Sequence, residues 1–295
     1  MGRAMGRAAL VLALLLGALG AVLGWLKLHE ADLVFATAWS HRHLLSALPS
    51  GAERIAIPVA PGETIAALLL RPATDRSLGF WVLHLHGNGV SAFSEEQERH
   101  VEALRALGFG VLAIDYRGFG LSPGTASEAS INADAEAAWQ ELLRRGVAPE
   151  RVIIWGHSLG SGPAVQLASH HSAAALVLFG AFTSIPDAAA DTYPYLPVRP
   201  LVSIRFDSLA TIGTLRMPIL IVHSLGDRVI PYRHSRALYA AASEPKRLLT
   251  LLPPYHDHRG GHIDALYEHL DQLQGALASL QVCCRSGRGS GGNGT

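Results

Sequence analysis

From residue 80 onward this chain alternates runs of consecutive apolar residues with longer amphipathic stretches. The runs are 80–85 (FWVLHL), 110–115 (GVLAID), 151–155 (RVIIW), 174–180, 218–223 (PILIVH) and 247–252 (RLLTLL), and two more precede them at 55–59 and 65–71. Apolar residues at successive rather than alternate positions suit strands buried on both faces, which is the condition of a parallel sheet covered by helices. Helical spacing over 94–107, 127–146, 159–171, 234–243 and 263–280 supplies those covers. The pattern predicts an α/β fold with a mostly parallel, doubly wound sheet. Residues 183–216 carry four prolines and fit no strand-helix unit, so they are expected to form a short lid insertion over one edge of the sheet.

With 295 residues, 49 % of them hydrophobic, the chain can bury one large core, expected over 45–282. Lys plus Arg and Asp plus Glu number 24 each, so no electrostatic footprint for nucleic acid is visible and none is expected as a partner. The two cysteines, Cys283 and Cys284, are adjacent and precede a glycine-rich tail, 283–295, that reads as flexible. They offer no disulfide framework and no thiolate zinc site for the core.

Residues 8–26 contain no charged residue over 19 positions. A helix of that length spans about 28 Å, close to the hydrocarbon thickness of a bilayer. Residues 1–28 are therefore expected to be a single-pass membrane anchor or uncleaved signal, a cleaved signal peptide being the competing reading. Arg3 and Arg7 precede the run, which places the N-terminus in the cytoplasm and the remainder outside it.

Strand 151–155 runs straight into Gly156-His157-Ser158-Leu159-Gly160. Ligands of such sheets bind at the carboxyl ends of the strands. A turn from strand into helix within one residue strains the backbone at Ser158, and glycines two positions to either side remove the Cβ atoms that would clash. The hydroxyl is then presented clear of the backbone, with the Leu159 amide beside it as an oxyanion donor. A G-x-S-x-G match alone is weak, because a serine needs a base to take its proton and a carboxylate to orient that base. After strand 218–223 the turn SLGDRVIP offers Asp227, preferred over Asp187, Asp191, Asp207, Asp257 and Asp264. After the last strand come His256, His258, His262 and His269, of which His262 follows two glycines and directly precedes a helix. Early in the chain, His86-Gly87-Asn88-Gly89 ends another strand, and the Asn88 N–H is expected as the second oxyanion donor. The expected triad is Ser158, Asp227 and His262.

The blocks HGNG (86–89), DYRGFGLS (115–122), GHSLGSG (156–162), GDRVIP (226–231) and GGH (260–262) resemble the α/β-hydrolase superfamily over about residues 50–280. With the apolar N-terminal run they are similar to a membrane-anchored branch of lysophospholipase-like, acylglycerol-lipase-like and depalmitoylase-like serine hydrolases. That resemblance implies a Ser158–Asp227–His262 triad, no cofactor, and lipid-like or acylated ester and thioester substrates. Ser224 departs from a glycine frequent in relatives, and His256, Asp257 and His258 crowd the histidine loop. Pro163 fits a helix only in its first turn. His84-x-His86 reads as packing and loop residues rather than metal ligands, and no metal is expected. Asp115 and Arg117 are expected to shape a turn or pair with each other. Tyr193, Tyr195, Leu196, Phe206 and Leu209 could line an acyl pocket. An anchored peptidase related to prolyl oligopeptidases and a non-catalytic scaffold are the alternative readings.

Overall fold

The computed structural model of the protein describes residues 2–72, 77–252, 261–262 and 265–280. Helix α1 (Gly2–Leu28) is followed by two short helices, α2 (Glu30–Val34) and α3 (Thr37–Ser40). Strands β1 (Ala52–Ala60) and β2 (Glu63–Leu70) form an antiparallel hairpin. Then come β3 (Trp81–Leu85), α4 (Glu95–Ala106), β4 (Gly110–Ile114), α5 (Glu128–Arg144), β5 (Val152–His157), α6 (Ser161–His170) and β6 (Ala175–Phe179). The chain continues through α7 (Ile185–Thr192), α8 (Ser208–Ile212), β7 (Ile219–Ser224), α9 (Arg233–Ala241), β8 (Lys246–Leu251), α10 (Ala265–Glu268) and α11 (Leu270–Ser279). Each apolar run seen in the sequence is a strand.

The strands make one sheet in the order β1-β2-β4-β3-β5-β6-β7-β8, antiparallel only where β2 meets β1 and β4. The consecutive apolar residues are buried on both faces, as their pattern requires. Leu83, Leu85, Ile154, Leu176 and Ile221 pack with α5, α6 and α9 in one core, whereas Val82, Ile153, Val177 and Val222 pack with α4 and α11 in the other. Strand order reverses about β3, since β4 lies on one side of it and β5 on the other. The crevice outside β3 and β5 is thus the topological switch point, where such sheets bind ligands.

Caps in the sequence account for the main helix starts. The Ser94 hydroxyl accepts the Gln97 N–H ahead of α4, and Ser127 and Ser130 form a reciprocal capping box at α5. Pro163 falls in the first turn of α6, where its missing N–H costs no helical hydrogen bond. The helix expected to run unbroken over 263–280 is interrupted at His269, which takes φ −130° between α10 and α11.

The 183–216 segment contains α7 and α8 and is held by carboxylates. Glu128 accepts the N–H groups of Arg205 and Phe206 at 2.7 Å each, and Glu30 accepts those of Ser203 and Ile204 together with the Ser203 hydroxyl. Burial opposes ionisation of Glu30, but bonds from Lys27, Ser203 and Ile204 outweigh it and lower its pKa to about 2. Phe206 is buried against α6, where a Cβ on Gly162 would stand 2.6 Å from its ring, whereas Tyr193, Tyr195, Leu196 and Leu209 are exposed.

The membrane-spanning helix expected over 8–26 receives no support here: among the described residues no helix is long and apolar enough to cross a membrane. Cys283, Cys284 and the glycine-rich tail lie outside the described residues, as do His256, Asp257, His258 and Asp264.

A Cβ on Gly160 would stand 2.1 Å from the Leu85 carbonyl oxygen, whereas one on Gly275, inside α11, would meet nothing within 4 Å. Gly160→Ala is expected to destabilise the protein by about 3 kcal/mol through overpacking. Gly275→Ala is expected to stabilise it by about 0.5–1 kcal/mol. Urea denaturation of the two variants against the parent measures both.

Candidate active site

Ser158 stands immediately beyond β5 with φ +50°, in a 3-10 turn (Ser158–Gly160) that leads into α6. Only a close-packed surround holds a non-glycine residue in that region. Gly156 and Gly160 supply it: a Cβ on Gly156 would lie 2.5 Å from the Gly160 carbonyl oxygen and 2.6 Å from the Ala164 methyl. The turn is pressed against the end of β3, which pairs with β5 at Leu85 and Gly156.

The three residues expected as a triad are brought together. The Ser158 hydroxyl donates to His262 Nε2 at 2.9 Å, and His262 Nδ1 donates to Asp227 Oδ2 at 2.7 Å. A carboxylate only accepts, so the second bond fixes the tautomer that leaves Nε2 free to receive a proton. The other Asp227 oxygen accepts the N–H groups of Val229 and Ile230 at 2.8 and 2.9 Å, so the carboxylate is locked by its own turn. His269 stands apart, its Nε2 at 3.2 Å from the Leu252 carbonyl oxygen. Asp187 and Asp191 belong to another polar cluster with Thr183, Arg233 and His234.

Leu159 is buried directly behind Ser158. Asn88 is exposed, and its side chain has a role that the sequence reading missed. Nδ2 donates to the Val34 carbonyl and Oδ1 accepts the Ala36 N–H, each at 2.8 Å, tying the N-terminal segment to the loop after β3.

Three further residues hold the site. His157 Nε2 donates to the carbonyl oxygen of His262 at 2.9 Å, and the two rings lie 5.2 Å apart. Gly180, at φ +57°, leaves the space beside the His262 ring that a Cβ would enter at 3.1 Å. His223 accepts from Ser235 and donates to the Ile230 carbonyl, bracing the turn that carries Asp227. The only sequence signal for these was position, since each stands at the carboxyl end of a strand.

The DYRGFG turn works differently from one of the two expected ways. Asp115 and Arg117 do not pair. Asp115 accepts the N–H groups of Ala92 and Leu121 at 2.7 Å each and the Ser91 hydroxyl at 2.8 Å, clamping two loops. Arg117 instead reaches the buried Asp134 at 2.8 Å and Glu63 at 3.3 Å. Among the described residues no group of His, Cys, Asp and Glu could hold a metal ion.

Burial depresses the basicity of a row of histidines behind the site. His86 and His100 are lowered to about 4, the latter also by Arg99, and His84 and His157 lie well below the usual imidazole range. Burial likewise raises Asp115 to about 6, against the opposing bonds from Leu121, Ala92 and Ser91. The folded state therefore binds fewer protons than the unfolded chain at these histidines and more at Asp115. The histidine contribution is complete above about pH 6.5 and is lost as pH falls toward 4, at about 3 kcal/mol for each of His86 and His100. Asp115 acts with opposite sign, its contribution being present at low pH and lost as pH rises through 6, and it offsets about one histidine. The urea midpoint is expected to fall between pH 6.5 and 4; a flat profile there would contradict the assignment of neutral buried rings.

Residues 81–207 match the family model described as Serine aminopeptidase, S33. An uncharacterized protein of Mycobacterium tuberculosis is 37% identical over 207 residues, covering 70% of this chain and 72% of that protein. Human alpha/beta hydrolase domain-containing protein 17B is 30% identical over 221 residues, covering 72% of this chain and 70% of that protein. The lysophosphatidylserine lipase ABHD12 of Danio rerio is 32% identical over 185 residues, or 57% of this chain and 48% of that one. In fold the chain is similar to the Pyrococcus furiosus esterase Pf2001, with a TM-score of 0.64, 17% identity, and coverage of 81% of this chain and 96% of that one. With its sheet order, its strained serine turn and these relatives, the chain belongs to the α/β-hydrolase superfamily of serine hydrolases.

Proposed function

We propose that the protein cleaves carboxylic esters or thioesters by two-step acyl transfer through Ser158. The observation that carries this reading is the unbroken hydrogen-bonded chain from the Ser158 hydroxyl through His262 to Asp227. His262 Nε2 takes the hydroxyl proton as Ser158 Oγ attacks the substrate carbonyl carbon, and Asp227 balances the imidazolium that forms. The N–H groups of Leu159 and Asn88 receive the oxyanion. Collapse expels the alcohol or thiol, which leaves with the proton from His262. Water, deprotonated by His262, then attacks the acyl-enzyme, releasing the acid and restoring Ser158.

His157 is a positioning residue in this scheme: it touches the backbone of the base and no reacting atom. The 183–216 segment serves as a lid over the site. Residues 8–26 anchor the protein to a bilayer. Support for this comes from the uncharged sequence and from the exposure of Leu14, Leu16, Leu19 and Val22. An anchored site meets amphiphiles, and one relative is named for a lysophospholipid, so the substrates proposed are lipid-like or acylated. The family model's description supports a second reading, an aminopeptidase acting by the same acyl transfer.

A fluorophosphonate probe is expected to label the parent and not Ser158→Ala; equal labelling of both would refute the nucleophile. A p-nitrophenyl ester series set beside aminoacyl amides distinguishes the two reactions, faster amide turnover favouring the peptidase. His157→Phe keeps a ring and removes the N–H, and is expected to lower kcat about tenfold with KM unchanged, the worth of one hydrogen bond. His157→Gln is expected to recover part of that loss, and recovery by neither rate nor pH profile would reduce His157 to a packing residue.

A further inference from the structure

Among the described residues the Asn88 N–H has no acceptor, although both polar atoms of the Asn88 side chain are bonded. A backbone donor left open in this way is free for a ligand. It lies close to the nucleophile, since a Cβ on Gly87, the residue before it, would stand 3.2 Å from that of Ser158.

The direction of this N–H is set from inside the protein. A trans peptide is planar, with the carbonyl of one residue and the N–H of the next on opposite sides. The carbonyl in the plane of the Asn88 N–H is that of Gly87, and His86 Nδ1 lies 2.7 Å from its oxygen. A carbonyl only accepts, so Nδ1 carries the hydrogen and donates it. The His86 ring is fully buried, with Tyr116 at 4.4 Å and Phe119 at 5.5 Å between ring centres, and the Tyr116 hydroxyl donates to the His86 carbonyl at 3.0 Å. Its Nε2 faces Asp115 Oδ1 at 3.6 Å, beyond hydrogen-bond reach, so the bond to Gly87 is the ring's one directed contact. With the Gly87 carbonyl drawn toward that ring, the Asn88 N–H is turned the opposite way.

From outside, the same loop is held by residues 34–36. Asn88 Nδ2 donates to the Val34 carbonyl and Oδ1 accepts the Ala36 N–H, each at 2.8 Å, a grip at two points that fixes a plane. Gly89, at φ +73°, keeps the loop so near that a Cβ there would touch those of Ala36 and Trp39 at 3.5 Å. The segment is itself fastened, with Phe35 in the core and the Ser40 hydroxyl accepting the Gly120 N–H at 2.8 Å. A donor aimed at developing charge is most effective when its direction is fixed before the reaction.

We propose that His86 and the Val34–Ala36 segment are the positioning elements of the oxyanion donor, one clamping its peptide through the Gly87 carbonyl and the other through the Asn88 side chain. The N-terminal segment is then part of the catalytic apparatus, although it touches no reacting atom. The proposal rests on the acyl-transfer reading above.

The test uses the full chain, a p-nitrophenyl ester and an alkyl trifluoromethyl ketone. Ser158 Oγ adds to the ketone carbon while its proton passes to His262, which gives a bound oxyanion with no leaving group to expel. His86→Phe keeps a ring and removes the donor, and Asn88→Ala removes both side-chain ties and keeps the N–H. Each is expected to lower kcat and ketone affinity by the same factor, about tenfold, with KM unchanged; outright loss of such a donor costs about 10²–10³. His86→Asn, whose amide nitrogen stands where Nδ1 stood, is expected to recover most of the loss, and His86→Gln, whose amide reaches the Nε2 position, is not. Asn88 is exposed, so Asn88→Ala leaves the fold intact and carries the test should His86→Phe not fold. Unchanged kcat and ketone affinity in Asn88→Ala, or recovery by His86→Gln as full as by His86→Asn, overturns the positioning and leaves ester hydrolysis standing. A parent that neither turns over the ester nor binds the ketone overturns both.

Discussion

Gly160 lies against the carboxyl end of β3 with no room for a side chain, and most of the site's geometry follows from that contact. The Leu85 carbonyl would stand 2.1 Å and that of His86 2.7 Å from a Cβ there. Such an approach forces the chain leaving β5 to turn at once, and Ser158 absorbs the turn at φ +50°. The strain is offset by burial around it: Leu159, Ala164 and Val165 lie in the core that fills one face of the sheet. The hydroxyl is therefore placed by the close packing of two strands and a helix, and its direction changes little when surface loops move.

The polar groups around Ser158, His262 and Asp227 are arranged so that few can compete for the bonds between them. Asp227 spends one oxygen on two backbone amides and gives the other to His262. His157 and His223 brace the loop and the turn from behind, both lowered by burial and so neutral near pH 7. A neutral ring can donate one hydrogen bond at a fixed place without adding a charge beside the base. That explains why imidazoles, rather than lysines or arginines, fill the space behind a histidine that would itself become positive in the proposed acyl transfer.

How much of this was legible in the sequence depended on whether the signal was local. Strands buried on both faces announce themselves as unbroken apolar runs, and so the sheet could be read segment by segment. That Ser158, Asp227 and His262 would meet was legible because each follows a strand of a parallel sheet, whose carboxyl ends all lie on one edge. The pairing of Arg117 with Asp134 joins residues 17 positions apart through tertiary contact, and nothing in DYRGFG distinguishes it from a pair with Asp115. The break at His269 was hidden for a related reason, since a helical apolar pattern continues across it. The tie made by the Asn88 side chain was invisible because its partners, Val34 and Ala36, lie more than fifty residues away and offer only backbone atoms.

Those long-range ties give the N-terminal segment a part in the site that its sequence does not suggest. Glu30 grips the amides of Ser203 and Ile204, Glu128 grips the next two, and Asn88 and Ser40 hold the intervening chain to loops beside Ser158. Carboxylates on backbone amides are charge-assisted bonds, stronger than neutral ones and lost only when the acid is protonated. Because Glu30 is held at about 2, its grip persists through any physiological acidity. The residues that follow α1 and those that precede β7 are thus coupled through shared amides, and a change in how α1 is seated would be transmitted to the 183–216 segment through bonds rather than through a flexible linker.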